Sequence, residues 1–437
     1  MRLEQDKVNR SLRLSIYDGA FASAMLGFSQ EYFAPFLISI GATVRQIGIL
    51  SAIPSLIASL IQLKSAEVTD FIGSRKKVLN IFVFLQALML VLMSVMVVYR
   101  GDVYLFIGMV TLFTSFGAFA TPAWGSLMSD LVPETRRGLY FGSRNMITGL
   151  IAIVTTFLAG LMLNHFRQSR IALGFALIFG CAFIFRIISW VFLKLMYEPL
   201  FMQRADRGVT FMNFVSGVRG NTFPKFVISV SLMNFSVTLS ASFISVLLLR
   251  ESQYSYILYT SVIVTGSLIV FLTMRRWGRH ADYVGNIKII KSTSLLISII
   301  PILWIVSRNP VFLIFVQIFA GIVWSGFNLS ASNFVYDAVP SHERMKNIAY
   351  FNVINGLSVS AGAMTGGMLF KYLPSVSGSK ILTLFFLSAI LRFAVSFFML
   401  LRLQEVRHVV NVKNIDLFSS IVGIRPLFGE EKKPYKK

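Results

Sequence analysis

Residues 66–77 read AEVTDFIGSRKK, and residues 278–288 read GRHADYVGNIK. The two segments share one pattern: a small residue, an aspartate four positions on, a glycine three positions later, and then basic residues. Each follows an apolar stretch of about 20 residues, which is long enough to cross a hydrocarbon layer roughly 30 Å thick as a helix. The same polar turn therefore occurs twice between candidate membrane spans.

The rest of the sequence extends this pattern. Of the 437 residues, 55% are hydrophobic and only 14% are charged, whereas soluble domains average about 25% charged residues. The mean hydropathy is +0.72. These values predict a multi-pass helical membrane protein, with the lipid bilayer as its solvent. Twelve apolar stretches are long enough to span it, at roughly 15–40, 46–63, 78–98, 103–129, 142–163, 172–195, 225–249, 254–273, 288–306, 310–335, 346–370 and 380–402.

The net charge of +22 would suit a nucleic-acid-binding protein, but the placement of the charges argues against that function. With an even number of spans, 31 of the 41 Lys and Arg residues lie on the side that carries both termini, and eight lie in the opposite loops. Such an excess marks the cytoplasmic side of a membrane protein. We therefore expect a cell-membrane protein with both termini in the cytoplasm and no nucleic-acid partner.

The two halves of the chain repeat each other. Asp130, Asn145 and Gly149 recur 207 residues later, as do Pro133, Arg137 and Gly160. A duplicated six-span unit is typical of transporters with a binding site between the halves. The repeat predicts six-helix bundles at 15–195 and 225–403, joined by a cytoplasmic linker at 196–224. A cytoplasmic N-terminus (1–14) and a basic tail (404–437) complete this division.

The paired segments resemble the loop signature of the major facilitator superfamily, G-x-x-x-D-x-x-G-x-[RK]-[RK]. Ala66 and Ile287 depart from it. The resemblance covers essentially the whole chain and implies an all-α fold of twelve transmembrane helices in two pseudo-symmetric bundles that rock about a central cavity. We interpret the segments as a gate, with membrane anchoring favoured for the basic residues at 75–77. The gate residues are Asp70, Gly73 and Arg75 in the first copy and Gly278, Asp282, Gly285 and Lys288 in the second.

Polar side chains inside the spans are the candidate site. An acidic residue at membrane depth is costly and is therefore a functional candidate. Glu31 in the first span could bind a cationic group or take up a proton; the alternatives are a residue solvated at the outer mouth or one that locks the outer gate. For the remaining candidates, substrate contact and ordinary packing are alternative roles. These candidates are Gln30, Asn234, Thr238, Gln317, Trp324 and Asn328.

Charged residues near the inner span ends are expected to be structural or gating groups. From their pseudo-symmetry we expect Arg186 to pair with Asp130 and Arg392 with Asp337. The full set is Asp18, Asp130, Arg137, Arg186, Asp337, Arg344 and Arg392.

Several function classes lack support in the sequence. There is no GxxxxGK[ST] phosphate-binding loop, a single cysteine, and no nucleophile–base pair among the spans. We therefore expect no enzyme activity, no cofactor and no metal site. The leading interpretation is a monomeric secondary transporter for a small solute, driven by a proton gradient, a sodium gradient or the gradient of the solute. The alternative is a transporter-fold protein that acts as a sensor or assembly partner without transport.

Overall fold

The architecture is an all-helical bundle, as seen in a computed structural model. It describes residues 2–99, 101–133, 137–166, 170–199, 222–339, 344–375 and 378–405. Residues 200–221 of the predicted linker lie outside these ranges, as does the basic tail beyond residue 405.

Thirteen α-helices and two short irregular turns form the described part of the chain. They are α1 (Arg2–Ser29), a 3₁₀ turn (Gln30–Tyr32), α2 (Phe33–Ser39), α3 (Val44–Ile72), α4 (Arg75–Val98), α5 (Val103–Leu131), α6 (Arg137–His165), α7 (Ile171–Leu195), α8 (Thr222–Ala241), a π-helical turn (Val246–Glu251), α9 (Tyr256–Val284), α10 (Asn286–Val306), α11 (Pro310–Ala338), α12 (Arg344–Leu369) and α13 (Lys380–Arg402).

Several helices are longer than the apolar spans from which they were predicted. The second span was expected at 46–63, yet α3 continues to Ile72 through the polar residues of the first paired segment. Gly73 then ends the helix with φ +69°, and Gly285 ends α9 with φ +87°. Such backbone angles favour glycine because it has no Cβ. The paired segments are therefore mostly helical, and the polar turn expected between the spans is only one or two residues long.

Side-chain caps fix where several helices begin. Thr43 accepts a hydrogen bond from the backbone of Gln46, whose side chain accepts one from the Thr43 backbone. Asp102 and Asn309 cap α5 and α11 with their side-chain oxygens. These caps satisfy backbone donors that have no partner within the helix. The short turns between spans are thus specified locally by the sequence.

The helices pack in the same order in both halves. In the first half α1 packs against α6 and α7, α5 against α3 and α4, and α4 against α7. In the second half α8 packs against α12 and α13, α11 against α9 and α10, and α10 against α13. Ten helices of the described residues are long and apolar enough to span a membrane. The predicted fold class, twelve membrane spans in two pseudo-symmetric six-helix bundles, is confirmed.

Two ends of the bundle can be distinguished by their contacts. The Tyr197 backbone N–H donates to Ser11 Oγ, and the Ile287 backbone N–H donates to the Glu405 carboxylate. The start of α1 and the last described residues therefore lie at one end, which we call the terminal end. The turns at 40–43 and 252–255 lie at the opposite end, which we call the far end.

Candidate functional site

The first span is interrupted at Gln30–Tyr32, where α1 gives way to a 3₁₀ turn. Ser29 leaves helical geometry (φ −125°, ψ −57°), and its hydroxyl donates to the Met25 carbonyl at 2.8 Å. Pro35 lacks the N–H that would otherwise bond the carbonyl of Glu31 four residues before it. The sequence therefore frees a backbone carbonyl beside the only acidic side chain of this segment.

A cavity of about 190 Å³ lies beside the interruption, between α1, α6 and α9. Glu31 and Gln30 are exposed into it, and Ser267 contributes a hydroxyl from the opposite half. The other walls are mostly apolar. They comprise Leu26, Gly27, Ala152, Ile153, Thr156, Ile263 and Val264.

Gly27 sets the width of this cavity on the first-half side. A Cβ at Gly27 would lie 2.1 Å from Thr155 Oγ1 and 2.8 Å from the Ala152 carbonyl oxygen. Helices α1 and α6 can therefore approach closely only because this position is glycine. Their close packing positions the following turn, and with it the Glu31 side chain.

The Glu31 carboxylate has no cationic partner among the residues that the structure describes. No hydrogen bond to its side-chain oxygens is found among them either. A carboxylate beside apolar walls is stabilised only by water, a proton or a bound cation. The cavity thus holds one carboxyl group with one amide and two hydroxyls nearby.

A hydrogen-bonded junction between the halves closes the space next to Glu31. The Tyr259 hydroxyl of α9 donates to the freed carbonyl of Glu31 at 3.1 Å. The Tyr32 hydroxyl donates to the Thr156 carbonyl and lies 3.1 Å from Thr260 Oγ1. Tyr32, Tyr259 and Thr260 are all buried. We call these contacts the tyrosine junction.

Two helix seams extend the contact between the halves. In the α3–α12 seam, a Cβ at Gly356 would lie 1.7 Å from Ser59 Oγ, and one at Gly48 would lie 3.0 Å from Gly367 Cα. In the α6–α9 seam, a Cβ at Gly160 would lie 2.3 Å from Thr260 Oγ1. Small residues let the backbones approach, as is common in membrane helices.

The far end is further closed by Arg250, whose guanidinium donates to the Ala42 carbonyl of the other half. At the terminal end, by contrast, no hydrogen bond or ion pair between described residues joins the halves. Among the described residues, the contacts between the halves thus lie along the seams and at the far end.

The sequence model of the Major Facilitator Superfamily matches this chain at residues 19–307 and 226–431. The chain belongs to the major facilitator superfamily. It is therefore a multi-pass membrane protein of a family of transporters, not of enzymes.

Individual relatives agree with this assignment. An uncharacterized MFS-type transporter of Methanocaldococcus jannaschii is 23% identical over 389 residues, which cover 87% of this chain and 95% of the relative. The crystal structure of a mutant of the nucleoside transporter NupG gives a TM-score of 0.70 at 15% identity, covering 91% of this chain and 100% of that one. The crystal structure of a bacterial homolog of the human lysosomal transporter Spinster, in an inward-facing and unoccupied conformation, gives a TM-score of 0.63 at 14% identity. The match covers 92% of this chain and 99% of that one. At these identities the structural likeness concerns the fold alone.

The remaining substrate candidates do not line the Glu31 cavity. Asn234 Nδ2 donates to Asn355 Oδ1 at 2.6 Å, linking α8 to α12. The Thr238 hydroxyl lies within hydrogen-bond distance of the carbonyls of Asn234 and Val359. Serine and threonine in helices often bond the backbone in this way. Asn355 was not among the predicted site residues. The sequence signal that could have identified it is an amide side chain inside the eleventh span.

The three candidates of the tenth span lie on α11. Gln317 donates to the Val262 carbonyl at 3.1 Å, which ties α11 to α9 within the second half. Trp324 packs edge-to-face on Phe327 with ring centroids 5.6 Å apart. Asn328 is exposed. Substrate contact at these positions stays a prediction.

The first copy of the superfamily signature contains a buried arginine. Arg75 is 2% exposed, and its guanidinium pairs with Asp130 and lies 3.7 Å from Glu198. The anchoring role expected for Arg75 is therefore wrong, because its side chain is buried beside two carboxylates and does not reach the membrane surface. Lys76 and Lys77 are half-buried and exposed, respectively. Their anchoring role stays a prediction.

The acidic residues of the signature, Asp70 and Asp282, are exposed and make no ion pair with another described residue. Gly278 is not sterically required, since a Cβ there would meet Leu329 at an ordinary 3.6 Å. Lys288 is half-buried in the first turn of α10. The gating role of the signature stays a prediction.

Asp18, Arg186 and Arg144 form a buried polar cluster in the first half. Ser189 Oγ donates to Asp18 Oδ1 at 2.7 Å, and Arg186 Nη1 donates to Ser189 Oγ at 3.2 Å. Arg144 Nη2 lies 3.9 Å from Asp18 Oδ2, and its guanidinium stacks over Trp124 at 4.2 Å. The expected Arg186–Asp130 pair is wrong, because Asp130 is engaged by Arg75. Arg144 was not among the predicted residues.

The buried arginine of the second half has a different set of partners. Arg392 is 4% exposed and donates to Ser388 Oγ, Ser240 Oγ and the Ile297 carbonyl. Asp337 instead accepts a hydrogen bond from Asn286 Nδ2 at 2.7 Å. The expected Arg392–Asp337 pair is therefore wrong. The side chains of Arg137 and Arg344 lie outside the described residues.

Proposed function

We propose that this protein is a secondary transporter that moves a small solute across the cell membrane by alternating access. Glu31 is the group that takes up a cation, either a cationic part of the solute or a proton carried with it. The observation that carries this proposal is the Glu31 carboxylate, unpaired among the described residues, in a cavity that both halves line.

The cost of this arrangement argues for a function. An isolated carboxylate at membrane depth is costly, and such residues usually face a cavity. Asp18, the other acidic residue within the first span, is stabilised by a serine and two arginines. Glu31 has no such stabilisation among the described residues, so its cavity is adapted to an occupant that supplies positive charge.

The contacts between the halves support a rocking movement. The tyrosine junction and the Arg250 contact close the far end, and the two seams provide surfaces about which the bundles can pivot. Such closure around a central site is one of the common forms of domain movement. With both termini in the cytoplasm, as the charge distribution favours, the described conformation is closed to the outside. The transporter acts as a monomer in this proposal, because each chain contains both halves.

A thermal-shift screen of amines, cationic metabolites and neutral polar solutes would identify candidate solutes, because binding raises apparent stability. A solute that raises the Tm is then assayed for flux into proteoliposomes with and without an imposed proton gradient. Glu31→Gln removes the charge while keeping the shape. We expect it to abolish gradient-driven flux.

Glu67→Gln is the matched control. Glu67 is exposed and pairs only with the exposed Lys64 among the described residues, so this variant should transport normally. Unchanged flux in Glu31→Gln would refute the role of Glu31. Tight binding of a solute without flux in the wild-type protein would refute transport and favour a sensor.

A further inference from the structure

A second cavity, of about 480 Å³, lies at the terminal end of the first half. It is formed where the start of α1, the first turn of α4 and the segment after α7 meet. Its walls are Lys7, Arg10, Ser11, Lys76, Leu195, Met196, Tyr197 and Glu198. None of these residues lines the Glu31 cavity.

Three cationic side chains converge on this cavity. Lys7 and Arg10 lie one turn apart on α1, and Lys76 comes from α4. None of the three forms an ion pair with another described residue. Lys7 Nζ lies 5.6 Å from the centre of the Tyr197 ring. The cavity therefore concentrates positive charge from two separate helices.

The one acidic residue of the wall is already engaged. The Glu198 carboxylate accepts hydrogen bonds from Ser74 Oγ at 2.6 Å and from the Lys76 backbone N–H at 3.2 Å. It also lies 3.7 Å from Arg75 Nε. These interactions direct its charge toward the start of α4. The three cations are therefore left to attract an external anion.

The depth of the cavity matches the headgroup layer of a bilayer. The helical chain from Arg10, in the cavity wall, to Ser39 at the far end is about 44 Å long at 1.5 Å per residue. A bilayer with both headgroup layers is about 40–45 Å thick. Nearby, Lys194 Nζ lies 4.9 Å from the centre of the Trp190 ring, and tryptophan is enriched at the membrane interface.

An apolar surface adjoins the cationic wall. Leu195 lines the cavity and is 53% exposed, and Val191, one turn before it on α7, is 43% exposed. Their exposed side chains run from the cavity toward the middle of the span. A ligand held here can thus place an anionic group among the cations and hydrocarbon against α7.

We propose that this cavity binds the phosphate headgroup of an anionic phospholipid from the leaflet at the terminal end. Arg10 and Lys76 hold the phosphate oxygens, Lys7 adds charge, and the acyl chains lie along Leu195 and Val191. Basic pockets between membrane helices are suited to such headgroups. A free phosphate compound would use the same cations but would gain nothing from the apolar wall.

The test uses the purified full-length protein in detergent micelles, with the apparent Tm followed during titration. Dioleoyl phosphatidylglycerol should raise the Tm more than dioleoyl phosphatidylcholine at equal concentration. Inorganic phosphate and glycerol 3-phosphate should give no comparable shift. A shift of the same size with either soluble compound would overturn the lipid assignment, as would equal shifts with the two lipids.

Charge-neutralising variants locate the site. The triple variant Lys7→Gln, Arg10→Gln, Lys76→Gln should need at least about tenfold more phosphatidylglycerol for a half-maximal shift of the Tm. The matched control Arg13→Gln, Lys64→Gln, Lys77→Gln removes the same number and kinds of charge outside the cavity wall. An equal loss in both would show diffuse attraction and overturn the proposal. The lipid comparison on the wild-type protein stands even if the triple variant does not fold.

Discussion

Tyr259→Phe should open the far end of the protein. Its hydroxyl donates to the Glu31 carbonyl, which Pro35 leaves without a helical partner. Phenylalanine keeps the packing of a side chain that is 4% exposed but removes the donor. An acceptor left unsatisfied in a buried place costs about 1–3 kcal/mol. Water can reach this carbonyl once the halves separate, so the penalty applies to the closed state. The population of that state should fall roughly 5- to 150-fold relative to the open one.

The assay is a distance measurement across the far end. Spin labels are attached at Tyr104→Cys and Val311→Cys in a Cys181→Ser background. Both positions are exposed, and they lie at the far-end starts of α5 and α11. Pulsed electron resonance should show a longer distance gaining population in Tyr259→Phe.

Tyr254→Phe is the control for this measurement. The Tyr254 hydroxyl donates to the Arg308 carbonyl within the second half, so its loss affects both states alike and should leave the distances unchanged. Identical distance distributions in Tyr259→Phe, Tyr254→Phe and the labelled parent would refute the reasoning.

Three further substitutions test the packing and the buried charges. Gly356→Ala should also lengthen the distance, because its Cβ would lie 1.7 Å from Ser59 Oγ, whereas Gly142→Ala should not, since nothing lies within 4 Å of its Cβ. Arg75→Gln should lower the free energy of unfolding by about 1.5–3 kcal/mol, because it removes a charge-assisted hydrogen bond to Asp130; this would appear as a reduced Tm, while Lys77→Gln should leave the Tm unchanged. Asp18→Asn should lower the Tm as well, because Arg186 and Arg144 would lose their carboxylate, and Asp282→Asn, an exposed position, should have no effect.

The fold could be predicted because the bilayer imposes simple rules on the sequence. Apolar length fixed the number of spans, and the 207-residue repeat fixed their grouping into two bundles. Helix ends were less predictable, since a helix continues beyond the hydrocarbon wherever its polar residues remain good helix formers. Residues 64–72 of α3 are such a continuation.

The candidate site could be predicted only in part. Glu31 was named as a candidate because an acid inside a span is conspicuous, and the structure places it in the wall of a cavity; its role stays a prediction. Its neighbour Tyr259 was not, because the contact joins residues 228 positions apart on helices of opposite halves. Such contacts depend on which helix faces meet, and neither periodicity nor charge placement determines that. Ser267 was missed for the same reason.

The repeat predicted backbone positions better than it predicted ion pairs. The mate of Asp18 at the 207-residue offset is Lys225, so the second half has no acid there for Arg392. Likewise Ile287 replaces a basic residue of the signature, and Asn286 donates to Asp337 instead. By contrast Glu198 and Glu405, also 207 residues apart, both accept hydrogen bonds from the starts of the helices that follow the signature glycines. Duplication therefore preserved a helix cap, whose partner is backbone, more faithfully than pairs that need two particular side chains.

Glu31 brings the cavity and the far-end closure together in one residue. Its side chain is exposed in the cavity, and its backbone carbonyl is held by the opposite half through Tyr259. The turn that contains it is short, so in the proposed mechanism a movement of the side chain toward a bound cation would reach the carbonyl over only a few bonds. A separate relay of residues is not needed to connect occupancy with closure. The break at Gln30–Tyr32 is therefore more than a local irregularity of the first span, because it places the charge and the contact between the halves within the same turn.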